Sequence, residues 1–295
     1  MSIFSNPFFY ASAGGASATP TQLGIMAFGY TGSAYTALSN LVSSSGVVAS
    51  DTAAVATARG SVGGAGYGGD KAIFSFGSVS YTNLVSNTGV VASDVTQVGT
   101  VRNSVAGANY GVDKAIFFGG GYPPTAISNL VSSSGVVASD TAAVGTGTEG
   151  PGGAEYGGDK AIFAFGTTGS VTNISRLVNN SGVISADIAG VGTARYSLRA
   201  AGYGNDKGIF GFGRTPSNTG VTNLVSNTGV VAADVAAVGT ARRGPGACVY
   251  GGDKAIFSFG SPAYTNLVSN SGVVASDVTQ VGTDRYGTSG AGYGN

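Results

Sequence analysis

The chain has 295 residues, of which only 9% are charged, 14 basic against 14 acidic, while 52 are glycine. Most domains carry nearer a quarter charged residues, so this balance leaves no basic footprint for nucleic acid and suits a Ser-, Thr-, Asn- and Gly-rich surface, as on proteins of larger assemblies or extracellular settings. Histidine and tryptophan are absent and Cys248 is the sole cysteine, which excludes an intrachain disulfide and a Cys/His zinc site.

Residues 1–20 stand outside the pattern that follows and are read as an N-terminal arm. Their aromatic cluster, Phe4, Phe8, Phe9 and Tyr10, has two readings: an arm packed on the rest of its own chain, or a dock for another subunit. The first basic residue is Arg59, so no secretory signal with a charged leading region is expected. No apolar run approaches the roughly 18 residues of a membrane helix, and no membrane insertion is expected.

From residue 21 to residue 295 the sequence repeats. Tyr-Gly-x-Asp-Lys begins at Tyr67, Tyr110, Tyr156, Tyr203 and Tyr250, and its first half returns at Tyr293, giving spacings of 43, 46, 47, 47 and 43 residues. A period in the forties built only from strands predicts a β-propeller. Each repeat reads as four strands. A small-residue strand (61–67, 104–110, 197–203) turns through Gly-Gly-Asp, Gly-Val-Asp or Gly-Asn-Asp, residues that accept positive φ. An apolar strand (71–77 and equivalents) follows, suited to burial on both faces. A variable loop leads to a third strand such as Asn83-Leu-Val-Ser86. Asn-Thr-Gly or Ser-Ser-Gly then enters a fourth at Val90-Val-Ala-Ser-Asp94.

Second strands occur six times, at 25–29, 71–77, 114–119, 160–166, 207–213 and 254–260. First strands also number six, but run from 61–67 to 287–293, offset by one. The prediction is therefore all-β: a six-bladed propeller of four-stranded blades, closed by a C-terminal strand that completes the first blade and so removes the open sheet edges.

These units resemble the kelch repeat. The double glycine stands at Gly119-Gly120 and as Phe-Gly at Phe76-Gly77 and Phe212-Gly213. The Pro-Arg that precedes the first kelch strand is matched by Ala58-Arg59, Ala194-Arg195 and Ala241-Arg242. The kelch tryptophan is missing from every repeat, so the likeness is to a kelch-like propeller over 21–295. The wording Asn-Leu-Val-Ser-Asn-Thr-Gly-Val-Val is also similar to repeat proteins of tailed bacteriophages. That likeness implies a virion component, reaching the outside of the cell on particles released by lysis.

Charges recur with the repeat. Asp70, Asp113, Asp159, Asp206 and Asp253 each precede a lysine, and Asp51, Asp94, Asp140, Asp187, Asp234 and Asp277 mark the fourth strands. Arg59, Arg102, Arg195, Arg242 and Arg285 precede first strands, with Thr148 in the remaining slot. One reading makes these arginines scaffold, hydrogen-bonded to aspartates of neighbouring repeats. The other makes them a rim at the axial mouth that binds an anion, such as the carboxylate of an acidic sugar. Strand alternation places the second-to-third loops on the same face as these arginines. Those loops vary while the strands do not, so Tyr30, Tyr81, Tyr122, Arg214 and Tyr264 are the expected ligand-binding residues, suited to sugar faces and hydroxyls.

Catalysis is not expected. Glu149 and Glu155, the only glutamates, lie about 20 Å apart if on one strand, beyond the separation of a glycosidase pair. Without histidine there is no Ser-His-Asp triad and no ligand set like that of the kelch-like copper oxidases; an aspartate-based hydrolase is the residual enzymatic alternative. No cofactor or metal is expected. The leading expectation is a non-enzymatic structural and recognition protein of a phage particle (an appendage, fibre or decoration component). Its expected partners are other virion subunits, met through the N-terminal arm, and host-surface glycans, met through the loops. The alternative is a soluble multivalent lectin with sites on the loop face or between blades.

Overall fold

Small residues in the first strands let backbones approach one another more closely than side chains would allow. A Cβ on Gly107 would lie 2.4 Å from the carbonyl oxygen of Gly64, and one on Gly290 would lie 2.4 Å from that of Ala247. These contacts organise the computed structural model, which describes residues 23–53, 55–79, 81–142 and 144–294. The N-terminal arm with Phe4, Phe8, Phe9 and Tyr10 lies outside the described residues.

The structure is all-β, with no helix among the described residues, and its strands form small antiparallel sheets. Six units recur. Unit 2 has strands Gly63–Tyr67, Lys71–Ser75 and Tyr81–Val85; unit 3 has Ala106–Tyr110, Lys114–Phe118 and Ser128–Val131; unit 4 has Gly152–Tyr156, Lys160–Ala164 and Ser175–Val178. Unit 5 has Arg199–Tyr203, Lys207–Gly211 and Thr222–Val225, and unit 6 has Gly246–Tyr250, Lys254–Ser258 and Tyr264–Val268. In unit 1 the strands Leu23–Tyr30 and Tyr35–Val42 are joined by Ser289–Tyr293 from the other end of the chain, in the register Leu23↔Tyr293 to Ala27↔Ser289.

Second strands are buried on both faces because each is packed between two neighbours. Ile73 joins a cluster with Val105 and Phe117 of unit 3, whereas the next residue, Phe74, joins one with Ile25 and Phe28 of unit 1. There are six such clusters, one between each pair of consecutive units, and the sixth sets Met26 and Val42 of unit 1 against Cys248 and Ile256 of unit 6. First strands follow the same cyclic order of contacts, with Ser289–Tyr293 touching both Gly246–Tyr250 and Gly63–Tyr67.

Backbone hydrogen bonds tie the units at both ends. Ser61 N–H donates to Gly287 O (2.8 Å), Ser104 to Ser61 (2.8 Å), Gly150 to Ser104 (2.9 Å), Ser197 to Gly150 (3.2 Å) and Gly244 to Ser197 (2.8 Å), while Thr288 N–H meets Gly244 O at 3.4 Å. This hoop needs left-handed backbone, and Ser61, Ser104 and Ser197 adopt it with φ of 56°, 56° and 53°. At the opposite end hairpin glycines reach the next unit, as in Gly68 N–H to Asp113 O and Gly294 N–H to Asp70 O, both 2.8 Å.

The expected fourth strand is only partly formed. Two-residue strands, Val95–Thr96 and Val278–Thr279, occur in units 2 and 6, and elsewhere single bridges such as Ser128↔Thr141 stand in their place. In five units a third-strand asparagine serves part of the segment: the Asn83 amide donates to Ala92 O (3.0 Å) and to Asp94 Oδ1 (2.9 Å), and Asn40, Asn129, Asn223 and Asn266 do the same in theirs. The preceding turn is as expected, closed by Gly89 N–H to Ser86 O (3.0 Å) with Gly89 at φ 80°.

Candidate functional site

The second-to-third loops and the connections between units share one face. Tyr30 bridges Tyr286, Thr167 bridges Glu149, Arg214 bridges Tyr196 and Ser261 bridges Arg243. Each bridge joins a loop residue to the residue just before the hoop.

Behind this face lie the repeated arginines, and they are not a binding rim. Arg59, Arg195 and Arg242 are 0% exposed, Arg285 1% and Arg102 3%. An anion in solvent does not reach them, which corrects the axial-mouth reading. Arg59 donates from Nε to Phe76 O (3.1 Å), has Asp94 at 3.7 Å, and lies over the Phe28 ring of the previous unit, 4.1 Å from its centroid. Arg285 repeats this between units 6 and 1: Nε to Phe28 O (2.9 Å), Nη2 to Asn40 Oδ1 (2.6 Å), Asp51 at 3.6 Å and the Phe259 ring at 3.8 Å. The phenylalanines so used (Phe28, Phe76, Phe165, Phe212 and Phe259) stand at φ between 61° and 67°, a region costly for a bulky side chain. Phe28, Phe76, Phe212 and Phe259 are each held there by one arginine at the carbonyl and another over the ring, and Phe165 by Arg195 over its ring. Burial pushes these arginines down to about 10, so they remain charged at neutral pH.

In unit 4 the connection carries Thr148 instead of arginine, and Arg176 stands where other third strands carry Asn83, Asn129, Asn223 or Asn266. Arg176 has Asp187 at 2.6 Å and lies over Phe118, 5.0 Å from its centroid. A guanidinium thus reaches the equivalent place from a different strand.

The hoop encloses a cup of about 270 Å³ at the centre of the loop face. Besides the hoop residues, Tyr196, Arg199, Arg243 and Tyr286 line it. Arg199 interrupts the small-residue pattern of the first strands and sits at the cup's base, since it also lines a second cavity of about 20 Å³ among those strands. Its Nε donates to Thr288 O (3.2 Å) and its Nη1 to Leu198 O (3.1 Å), and burial pushes it down to about 10. Arg243 lies over Tyr286, 5.0 Å from the ring centroid, and Tyr286 meets Tyr30 edge to face at 5.6 Å. Among the described residues neither Arg199 nor Arg243 has a carboxylate within ion-pair distance.

A separate cavity of about 40 Å³ among the first strands, room for a water or two, is lined by Asn109, Glu155 and Cys248 among small residues. Asn109 accepts from Gly66 N–H at 2.7 Å. Burial raises the Glu155 carboxyl above its ordinary range. Glu149 is elsewhere, on the loop face, accepting from Ser104 Oγ at 3.3 Å. Among the described residues no three acidic, histidine or cysteine side chains gather as a metal site.

Of the five expected ligand residues, two adjoin the cup: Tyr30 beside Tyr286, and Arg214 bridged to Tyr196 with Nε on Pro216 O (3.1 Å). Tyr81 and Tyr264 open third strands and pair outward with Thr96 and Thr279. Tyr122 stands 91% exposed at a loop tip. The structure does not bring the five together. Missed by the sequence reading is the position before the hoop, which reads Gly60, Asn103, Glu149, Tyr196, Arg243 and Tyr286 around the six units. Its signal was present: it differs in almost every repeat, although serine or glycine always follows it. No protein-family model matches the chain, and no curated protein matches it in sequence.

Proposed function

We propose that the chain is a six-bladed, kelch-like β-propeller sealed by its C-terminal strand, and that it works as a non-enzymatic recognition module of a phage particle, with the loop face as its ligand end. The cyclic order of strand contacts, the hoop and the six interface clusters support the propeller reading. The virion assignment rests on the repeat wording and the scarcity of charge.

One observation carries the recognition role. In a chain whose units are nearly copies, the six residues that crown the hoop are chemically diverse, and three of them, Tyr196, Arg243 and Tyr286, line the cup. Rigid scaffolds place specificity on such positions. Immobilised glycans probed with the purified protein test this. Capture that competes with free sugar, and that falls when Tyr196, Arg243 and Tyr286 are replaced together by glycine without loss of folding, is the expected result. Capture of no glycan, or capture indifferent to that replacement, overturns it.

A further inference from the structure

We infer that the cup is a site for a sugar bearing a carboxylate, held by Arg199 and Arg243; this rests on the recognition reading above and gives it a substrate class. The argument begins with charge. Each lysine of the hairpins stands beside its own aspartate at 2.5–3.1 Å, and the clasping arginines are buried. Three arginines, Arg199, Arg214 and Arg243, escape this neutralisation, and Arg199 and Arg243 line one cavity together.

Arg199 is half-buried and fixed by two carbonyls, Thr288 O and Leu198 O. Neither carbonyl cancels its charge. A partly desolvated cation without a counter-ion gains from an anion that displaces water, and guanidinium matches a carboxylate through paired N–H donors. Arg243 is held by cation–π contact with Tyr286.

The remaining lining suits a hydroxylated ring. Tyr196 and Tyr286 offer aromatic surface for C–H faces. Ser61 and Ser197 have hydroxyls with no intramolecular partner among the described residues, ready for sugar hydroxyls. The acidic groups of this face are Glu149, occupied by Ser104 and outside the cup lining, and the exposed Asp284, two residues before Tyr286. Cation and aromatics therefore gather in units 5, 6 and 1, opposite a neutral wall of Ser61, Ser104 and Gly150. A volume of 270 Å³ falls just below the usual range for drug-sized ligands, so the cup fits one sugar residue rather than a chain.

Calorimetric titration of the full chain with glucuronate, glucose and inorganic phosphate tests the inference. Glucuronate is expected to bind at least about tenfold tighter than glucose, the margin of one charge-assisted hydrogen-bonded pair. Arg199→Gln and Arg243→Gln are each expected to lose about tenfold for glucuronate while Lys114→Gln, on a hairpin at the opposite end of the units, keeps it; unchanged thermal melting certifies the folding of each variant. Since Arg199 also holds Thr288, Arg243→Gln is the safer witness. Equal binding of glucose, phosphate binding tighter than glucuronate, or indifference to Arg243→Gln overturns the carboxylate site. If glycans are captured on the loop face but glucuronate is not, this inference falls and the recognition reading stands.

Discussion

Arg176 lies over the ring of Phe118, 5.0 Å from its centroid, in the role that Arg102 plays over Phe76 at 4.1 Å, although the two arginines come from different segments of the unit. The substitution of arginine for asparagine at 176 and the loss of arginine at 148 are thus one coupled change. Arg176→Asn alone leaves Phe118 uncovered and Asp187 without its ion pair, though still hydrogen-bonded by Thr146, at a cost of about 2 kcal/mol. Thr148→Arg alone crowds two guanidiniums into one place. The double variant restores the arginine and asparagine of the other units, although unit 3 has Gly119 where they have the clasped phenylalanine, and recovers most of the loss. Chemical denaturation of the four proteins gives the coupling energy, and additive effects would refute the account.

Close packing of first strands predicts intolerance to one methyl group. In Gly107→Ala the new Cβ meets the Gly64 carbonyl at 2.4 Å, and backbone has little room to retreat. A loss of about 2 kcal/mol is expected. Gly158, with nothing within 4 Å of its own Cβ, is the control for space; its φ of 77° limits Gly158→Ala to a conformational cost of about 1 kcal/mol. Denaturant midpoints rank the two.

Much of this architecture was legible. The 43–47-residue period, the glycine turns and the offset between first and second strands located every unit and the strand borrowed from residues 289–293, because local turn chemistry and apolar runs report on the chain itself. The fourth segment read as a strand since a hairpin turn, Asn87-Thr88-Gly89, leads into Val90 and Val91, and nothing in that pattern reveals that Asn83 and its equivalents bond to the segment. The arginines looked available because a repeated charge says nothing of burial; only the packing of Phe28 beneath Arg59 does. Long variable loops drew attention from the cup, whose residues come mostly from the connections of all six units and meet only when the units assemble.

Acid should unfold the protein through the fourth-segment aspartates. Burial alone raises the Asp94 carboxyl, but hydrogen bonds from Thr57 and Asn83, together with Arg59, outweigh it and set it below its ordinary 3.8; Asp51, Asp140, Asp234 and Asp277 behave alike. A carboxyl depressed on folding stabilises above its unfolded value and loses that contribution as pH falls through the folded one. Melting temperature should stay level from neutrality to about pH 4 and drop below it. Asp94→Asn, less stable at pH 7, should lose less on acidification; a parallel decline in both proteins would count against these groups.

Cys248 is buried, with its thiol pushed up to about 12 by desolvation and its Sγ packed against Gly24. It should resist iodoacetamide at pH 8 in the native protein and react once denaturant is present, as mass spectrometry will read. Rapid labelling of the folded chain would mean that units 6 and 1 part readily.

The borrowed strand has a consequence for biosynthesis. Unit 1 is made before units 2 to 6 yet lacks the strand that flanks Leu23–Tyr30 until residues 289–293 leave the ribosome, so while those units are made that flank is an unpaired ribbon. A nascent arc with such a flank adheres to its neighbours on a polysome. Speed of completion, more than final stability, then governs yield.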